Sequence, residues 1–260
     1  MDISAVIITH NEERNIARCL QSLQGVADEV IVVDSGSTDA TARICEEYNA
    51  DGTMPVKFQY HPWEGYDGQK NHAHSLVSHP WILSIDADEA LSPALRQSLL
   101  SLKATEPASE SVFAVNRLTH YCGHPIRHCG WYPERKERLF HNDYAYWDGI
   151  VHEELRYKGK AVLLKGDLLH YPYNSREDLE RKYDKYARLM AEKYHAHGKR
   201  ATRTDCWLRP LWTFLRNYIL RLGVLDGGDG WLICKMSARY TRMKYSRLRD
   251  LQTQTSTPNL

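Results

Sequence analysis

The sequence lacks several features that would assign it to a specialised class of protein. Its six cysteines (19, 45, 122, 129, 206 and 234) are irregularly spaced and do not predict a disulfide framework. No apolar run reaches the roughly 18 residues that a membrane span needs. We find no signal peptide, no internal repeat and no low-complexity segment. We therefore expect a reduced, cytoplasmic globular protein.

The chain also lacks a strong net charge. It has 34 Lys and Arg residues against 33 Asp and Glu residues, which argues against a polyanion binder that uses the whole chain. This balance hides an asymmetry, because residues 199–250 contain twelve basic and four acidic side chains. The rest of the chain has a net charge of −7. The basic C-terminal segment therefore needs its own explanation.

Strand and helix patterns alternate along the first hundred residues. Apolar and β-branched runs predict strands at 3–9, 29–33, 55–60 and 81–85. Helical spacing predicts helices between them and at 38–49, 69–78, 92–103 and 176–197, with Pro210 marking the start of another. This alternation predicts an α/β fold with a mostly parallel sheet flanked by helices.

Acid-rich segments follow three of the predicted strands, at residues 9–12, 34–39 and 86–89. Ligands of parallel sheets bind beyond the carboxyl ends of the strands. Two carboxylates one residue apart, as in the last segment, suit a hard divalent cation that also binds phosphate oxygens. Helix capping is the local alternative, since residues such as Ser37 and Asp88 are good N-caps. Three such strand ends on one sheet edge favour a binding site.

Four motifs in this half of the chain together resemble those of the family 2 glycosyltransferases, which have the GT-A fold. They are Ile7-Ile8-Thr9-His10-Asn11-Glu12-Glu13, Val32-Val33-Asp34-Ser35-Gly36-Ser37-Thr38-Asp39, Gln69-Lys70-Asn71 and Ile85-Asp86-Ala87-Asp88-Glu89. The resemblance covers about residues 1–155. Three later motifs, Arg138-Leu139-Phe140, Val151-His152-Glu153 and Leu222-Gly223-Val224-Leu225-Asp226-Gly227, look like one branch of the family. That branch contains bacterial glucosyltransferases that extend the lipopolysaccharide inner core.

The resemblance implies a nucleotide-sugar site at the sheet edge. Thr9, Glu12 and Asp34 would line the nucleotide pocket, and Lys70 would face the sugar-nucleotide. Many family members have a second acid immediately after the position of Asp34, where this chain has Ser35. UDP is the expected nucleotide.

The resemblance also implies the catalytic groups. Asp86 and Asp88 would form the Asp-x-Asp motif, with Asp88 the better candidate for direct contact with Mg²⁺ or Mn²⁺. Inversion needs a general base on the face of the sugar opposite the departing diphosphate. By the family pattern this base is Glu153, with Glu154 as the adjacent alternative. Arg138 is expected to contact phosphate, and a plain salt bridge is its alternative.

Three histidines and two cysteines lie within residues 120–129. They are zinc-ligand types, but their spacing matches no familiar zinc motif. We favour a strand–turn–strand feature beside the acceptor pocket, with Gly123 and Pro125 in the turn.

The basic segment 199–250 contains two amphipathic patterns. The first has its apolar side at Leu211, Phe214, Leu215, Tyr218, Ile219 and Leu222. The second separates the basic Lys235, Arg239 and Arg242 from the apolar Leu232, Met236, Tyr240 and Met243. Apolar, basic and aromatic residues in this arrangement favour a helix lying in an anionic membrane interface. A helical cap packed on the catalytic domain is the alternative.

We therefore predict an inverting, metal-dependent hexosyltransferase, peripheral on the cytoplasmic face of the inner membrane. Its expected donor is UDP-glucose, and its expected acceptor is lipid-linked, such as lipopolysaccharide inner-core heptose. Another glycan or protein acceptor, or a nucleotide-sugar-binding module without turnover, is the alternative. No nucleic-acid motif accompanies the basic segment, so no nucleic-acid partner is expected.

The predicted domain organisation follows the same division. Residues 1–198 would form the glycosyltransferase domain, with a nucleotide-sugar half at about 1–102 and an acceptor half at about 111–198. Residues 199–250 would form the basic helical extension, and 251–260 a frayed tail.

Overall fold

A computed structural model describes residues 1–52, 54–149 and 154–255 of the chain. These residues form two compact units. The first contains Met1–Leu118 and Glu134–Tyr171, and the second contains Thr119–Pro133 and the chain from Pro172 onward. Both the N-terminal motifs and Arg138 lie in the first unit, whereas the basic segment lies in the second. The domain boundary at residue 198 stays a prediction.

The N-terminal part of the first unit alternates strands with helices. In chain order these are β1 (Ile3–Thr9), α1 (Ile16–Leu23), β2 (Glu29–Asp34), α2 (Thr41–Ala50), β3 (Val56–Tyr60), α3 (Tyr66–His74), β4 (Trp81–Ser84), β5 (Glu89–Leu91) and α4 (Pro93–Lys103). The later strands are β6 (Val112–Tyr121), β7 (His124–Pro125), β8 (Glu134–His141), β9 (Tyr146–Asp148), β10 (Glu154–Arg156) and β11 (Val162–Tyr173). The predicted strand–helix alternation is confirmed, with shifts of a few residues at the ends.

Within the described residues the main sheet has the order β3-β2-β1-β4-β8-β6-β11-β5, with β7 paired to β6. The strands β3, β2, β1 and β4 are parallel, which confirms the predicted parallel sheet for this part. The pairs β4–β8, β6–β8 and β11–β5 are antiparallel and extend the sheet. A separate two-stranded ribbon joins β9 and β10.

Apolar side chains are buried on both faces of this sheet. All six residues of β2 are buried, as expected for a central parallel strand. Successive residues of β1 point to opposite faces, so Ile7 packs in one cluster with Leu20 of α1 and Val6 packs in another with Phe140. Each such fully buried side chain stabilises the fold by about 1.5–3 kcal/mol.

The second unit is largely helical. It contains α5 (Arg176–Ala196), α6 (Asp205–Leu215), a π-helical turn (Arg216–Leu220), a 3-10 turn (Gly223–Asp226) and α7 (Gly227–Thr255). Among the described residues, no helix combines the length and the apolar character of a membrane span. A strand–turn–strand feature is present, because β6 pairs with β7 around Cys122 and Gly123. Gly123 lies in the turn as predicted, but Pro125 lies in β7, where it pairs with His120.

Two expectations for the first basic helix were wrong. The helix begins at Asp205, not at Pro210, because an acidic side chain in the first turn suits the helix dipole and the proline is accommodated inside the helix. The predicted apolar side also does not form one continuous stripe. Phe214 packs into the apolar core of this unit, whereas Leu211 and Ile219 are exposed. The π-helical turn begins at Arg216, so it changes the helical register only between Phe214 and Ile219.

Gly166 of β11 provides a test of the packing between β11 and α4. Its φ is +100°, and a Cβ there would overlap the backbone nitrogen of Leu95. Gly159 also has a positive φ of +91°, but a Cβ there would meet open space. We expect Gly159→Ala to cost about 1–2 kcal/mol through backbone strain alone. Gly166→Ala should cost about 1–3 kcal/mol more, because overlap adds to strain.

Urea unfolding of the two variants measures this difference, with Gly159→Ala as the matched control. Equal losses of unfolding free energy in the two variants would contradict the close packing of β11 on α4.

Candidate active site

The polar ends of three parallel strands lie side by side in the first unit. Thr9 at the end of β1 is in register with Asp34 at the end of β2. On the other side of β1 lies β4, and its continuation is bonded to β1 through the Ile85 backbone nitrogen and the Val6 carbonyl, 3.0 Å apart. Asp86 follows immediately. The three acid-rich segments predicted to share one sheet edge therefore do so.

The loops after β1 and β2 are bonded to each other. The Asn11 backbone nitrogen donates to Ser37 Oγ, and the Thr38 nitrogen donates to Asn11 Oδ1, both at 2.8 Å. The Glu12 nitrogen donates to Thr41 Oγ1 at 2.9 Å. These bonds fix the two loops as one polar rim, in which the Glu12 carboxylate also accepts a bond from the Asn15 side chain.

Asp34 organises the second of these loops. Its carboxylate accepts hydrogen bonds from the backbone nitrogens of Gly36 and Ser37 at 2.8 and 2.7 Å, and from Ser37 Oγ at 2.5 Å. Gly36 has a φ of +101°, a conformation that favours glycine. The capping by Ser37 that was considered from the sequence is wrong, because the N-cap of α2 is Ala40 and no side chain caps it. The role of Asp34 in nucleotide binding stays a prediction.

The first carboxylate of the Asp-x-Asp motif lies between two cations. Asp86 Oδ2 is 2.8 Å from Arg138 Nη2, and Asp86 Oδ1 is 3.8 Å from Lys70 Nζ. Burial by itself raises the pKa of the Asp86 carboxyl, but the charges of Arg138 and Lys70 outweigh this effect. The pKa of Asp86 therefore lies well below its usual range, and the side chain is ionised. The salt bridge considered as an alternative for Arg138 is present.

A second buried carboxylate completes this ion cluster. Glu89 is 1 % exposed and lies 2.7 Å from Arg138 Nη2 and 3.3 Å from Arg117 Nη1. Glu89 Oε2 also accepts the backbone N–H of Asp86 at 3.0 Å. Sequence reasoning missed Glu89 and Arg117, although Glu89 is part of the fourth motif. No local pattern relates it to an arginine two strands away.

The second carboxylate of the motif has a different partner. Asp88 Oδ2 lies 3.4 Å from His170 Nε2, where β11 pairs with β5. Sequence reasoning also missed His170, because its strand position follows an ordinary apolar run and only the pairing of β11 brings it to Asp88.

The donor chemistry at Asp88 and His170 fits a divalent cation. Within the described ranges, no cluster of three or more His, Cys, Asp or Glu side chains has an arrangement that would hold a metal. A cation at this site would have the Asp88 carboxylate as its oxygen ligand, with the His170 imidazole beside it. Mg²⁺ is commonly bound through one or two carboxylates and completes its coordination with phosphate oxygens and water.

Five buried polar side-chain atoms in this unit have no hydrogen-bond partner among the described residues. Two are the Nε2 atoms of His72 and His74, and the other three are Thr9 Oγ1, Arg138 Nε and Trp147 Nε1. A buried donor without a partner costs about 1–3 kcal/mol. The last three lie at a strand end, at the ion cluster and beside Lys70, which favours a polar ligand at this edge.

The ribbon β9–β10 is attached to the helix that carries Lys70. Asn71 Nδ2 donates to the Trp147 carbonyl at 2.8 Å, and the Trp147 nitrogen donates to Asn71 Oδ1 at 3.0 Å. Lys70 Nζ also lies 4.2 Å from the centre of the Trp147 ring. Lys70 and Asn71 of the motif Gln69-Lys70-Asn71 therefore both contact Trp147 of this ribbon.

The predicted general base Glu153 lies outside the described residues. In sequence it falls between the two strands of this ribbon. The alternative, Glu154, lies in β10, is exposed, and has Oε2 3.5 Å from Arg156 Nη1.

The family model of glycosyl transferase family 2 matches residues 4–152, more than half of the chain. The chain belongs to glycosyl transferase family 2. This glycosyltransferase is 33% identical to the lipopolysaccharide core biosynthesis glycosyltransferase LpsC of Rhizobium meliloti, and the alignment covers 100% of this chain and 96% of LpsC. It is 32% identical to an uncharacterised glycosyltransferase of Rickettsia typhi, over 96% of this chain and 87% of the relative. The resemblance inferred from the motifs is confirmed.

A solved structure shows the same fold. The mannosyltransferase PcManGT from Pyrobaculum calidifontis, in complex with GDP-Man and Mn²⁺, superposes with a TM-score of 0.52 at 13% identity. The match covers 95% of this chain and 86% of that one. The predicted GT-A type of α/β fold is thereby confirmed for this family 2 glycosyltransferase.

The ion cluster predicts a large stability loss when Arg138 is removed. Arg138→Gln removes the positive charge that compensates the carboxylates of Asp86 and Glu89, of which Glu89 is fully buried. This loss should cost about 3–5 kcal/mol of unfolding free energy. Adding Glu89→Gln should recover part of that loss, because the buried charge is removed as well.

Arg135→Gln is the matched control, since Arg135 is an exposed arginine of the same strand. It should cost no more than about 1 kcal/mol. Urea unfolding at neutral pH measures all three variants. If Arg138→Gln were as stable as Arg135→Gln, the buried ion cluster would not stabilise the fold.

Proposed function

We propose that this family 2 glycosyltransferase is an inverting, metal-dependent enzyme that moves glucose from UDP-glucose to a lipid-linked acceptor. Inner-core heptose of lipopolysaccharide is the acceptor we favour. The observation that carries the proposal is the sheet edge at which Asp86 meets Lys70 and Arg138 while Asp88 meets His170.

The nucleotide would bind over the strand ends of β1 and β2. Thr9 offers a buried hydroxyl without a partner among the described residues, and Glu12 and Asp34 belong to the polar rim. Carboxylate and hydroxyl oxygens can accept hydrogen bonds from a base and a ribose. The loops need no rearrangement to present these groups, because they are already bonded to each other.

The diphosphate would lie next to the buried cations. Lys70 and Arg138 are each about 4% exposed, so their charges act at low effective dielectric. Negative charge grows on the diphosphate as the bond to the sugar breaks, and fixed cations that need no reorganisation stabilise it in the transition state. Asp86 holds both cations in place, which is a positioning role.

A bound Mg²⁺ or Mn²⁺ would be held by Asp88 and His170 and would neutralise charge on the departing diphosphate. Asp86 is the weaker candidate for direct metal contact, since its two oxygens already face Arg138 and Lys70. These contacts therefore give Asp86 a positioning role and leave Asp88 to bind the metal.

The base would remove the proton from the acceptor hydroxyl. We assign this role to Glu153. The oxygen then attacks the anomeric carbon opposite the diphosphate, so a new C–O bond forms as the old one breaks and the configuration inverts. The assignment rests on the family pattern. The attachment of β9 to Asn71 holds the ribbon that also carries the alternative, Glu154, next to the helix that presents Lys70.

The similarity to LpsC over the whole chain supports an acceptor of the lipopolysaccharide core type. Such an acceptor is anchored in a membrane. Residues 199–250 would hold the enzyme at the anionic cytoplasmic face of the inner membrane, where each basic side chain near the surface contributes about 1 kcal/mol.

Donor and metal use can be tested by measuring binding and hydrolysis of UDP-, GDP- and TDP-sugars with and without Mn²⁺. We expect UDP-glucose to bind in a metal-dependent manner. Asp88→Asn should lower this affinity by about 10-fold or more, as expected when a metal site is damaged.

Asp143→Asn is the matched control, because the Asp143 side chain is 80% exposed and remote in sequence from the motif. It should bind donor like the unaltered chain. Undiminished metal-dependent binding in Asp88→Asn would remove Asp88 from the metal site.

The base assignment predicts a separation of binding from chemistry. Glu153→Gln should lower transfer by about 10²–10⁴-fold, because the amide cannot accept the proton. Donor affinity should stay within about 2-fold, measured by calorimetry on the same sample. Glu154→Gln is the neighbouring control and should keep its transfer activity. Full activity in Glu153→Gln together with loss in Glu154→Gln would reassign the base to Glu154.

A further inference from the structure

Helix α6 in the second unit has two apolar faces. One face is buried and includes Cys206 and Pro210. The opposite face is exposed and consists of Trp207, Leu208, Leu211, Trp212 and Leu215, with exposed fractions of 38–64%. We call these five residues the outer face of α6. An exposed apolar patch of this kind marks a surface that contacts a membrane or another apolar partner.

A cavity of about 620 Å³ opens beside this outer face, within the second unit. Its lining includes Arg209, Arg216 and Lys244 together with Tyr183 and Tyr240, and it contains no acidic side chain. Trp212 belongs both to this lining and to the outer face. A volume of this size is typical of small-molecule sites.

Two of the three cations lack a negative partner. Arg209 Nε is 2.6 Å from Asp205 Oδ1. In the described part of the chain, no carboxylate lies within ion-pair distance of Arg216 or Lys244. Burial lowers the pKa of Lys244, which lies 5.3 Å from the centre of the Tyr240 ring. A cavity with unpaired cations suits an anionic ligand.

Four hydroxyl groups of the lining are hydrogen-bonded within the protein. Tyr183 Oη and Ser237 Oγ are 3.4 Å apart, whereas Thr213 Oγ1 donates to the Arg209 carbonyl and Thr241 Oγ1 donates to the Ser237 carbonyl, both at 2.9 Å. All four hydroxyl groups belong to residues that line the cavity. The guanidinium and ammonium groups are therefore the donors of this cavity that match the acceptor oxygens of a phosphate group.

The π-helical turn that follows α6 contributes to the same cavity. Arg216 and Asn217 are its first two residues, and both line the cavity. π-helical turns are rare and occur frequently at functional sites.

We propose that this cavity binds the phosphate headgroup of an anionic membrane lipid while the outer face of α6 enters the apolar part of the same leaflet. This goes further than the membrane contact in the proposed function, on which it rests. The charge of the cavity and the apolar outer face match the two ends of one amphiphile, and Trp212 contacts both. Arg242 lies 4.3 Å from the Trp207 ring and adds a cation at the edge of this surface.

The first experiment measures binding of the full chain to phosphatidylcholine vesicles with and without phosphatidic acid. We expect binding only when phosphatidic acid is present. Arg216→Gln with Lys244→Gln should weaken it by about 30-fold, from about 5-fold for each cation removed at a membrane surface. The control pair Lys158→Gln and Lys160→Gln removes two exposed cations of the first unit, outside residues 199–250, and should stay within about 2-fold.

The second experiment separates the cavity from the outer face. Short-chain phosphatidic acid, dissolved below its micelle concentration, should bind the unaltered chain and Leu208→Gln with Leu211→Gln equally. The Arg216 and Lys244 double variant should lose this binding. The leucine variant should lose vesicle binding, and circular dichroism checks that every variant is folded.

Several outcomes would overturn the inference. The first is that the Arg216 and Lys244 double variant binds vesicles as tightly as the control double variant. The second is that the unaltered chain binds vesicles equally well with and without phosphatidic acid. The third is that inorganic phosphate binds as tightly as the short-chain lipid. A lipid-free dimer that leucine substitution dissociates would show that a second copy covers the outer face. Donor binding is measured separately, so its failure would remove the proposed transferase function and leave the cavity result unaffected.

Discussion

The ion cluster around Arg138 is the constraint on which the site depends. Arg138 Nη2 lies 2.8 Å from Asp86 and 2.7 Å from Glu89, and both contacts are inside the fold. A buried guanidinium is stable only where carboxylates and hydrogen bonds compensate for lost hydration. Because Arg138 is in β8 and Arg117 in β6, the cluster ties antiparallel strands to the turn that carries the Asp-x-Asp motif. Ion pairs and backbone hydrogen bonds therefore both fix the geometry of the turn that carries Asp86 and Asp88.

In the proposed reaction, this cluster gives the two carboxylates of the Asp-x-Asp motif different roles. Asp86 is occupied by two cations, so Asp88 is the carboxylate that can take a further partner, and His170 lies beside it. The same arrangement keeps Lys70 buried near the sheet edge, supported by the Trp147 ring. In the proposed reaction, cations that are already fixed stabilise a leaving group without reorganisation, which is where electrostatic catalysis is most effective.

The charged side chains of the second unit are arranged differently from those around Arg138. Its ion pairs, such as Arg209 with Asp205 and Arg247 with Asp184, are at least partly exposed, and Arg216 and Lys244 line a cavity. Helix α6 of this unit also has one apolar face exposed and the opposite face buried. The near-neutral total charge of the chain therefore combines an acidic unit with internal ion pairing and a basic helical segment that is suited to an external anionic surface.

The sequence by itself determined the alternation of strands and helices, the family, and the position of polar residues at strand ends. These features depend on local sterics and on burial patterns that recur within a few residues. Only the tertiary structure brought Glu89 to Arg138 and Asp88 to His170, and only it showed that Leu211 faces outward while Phe214 is packed inside. These outcomes depend on the pairing of strands and helices far apart in sequence, and no short-range pattern encodes such pairing.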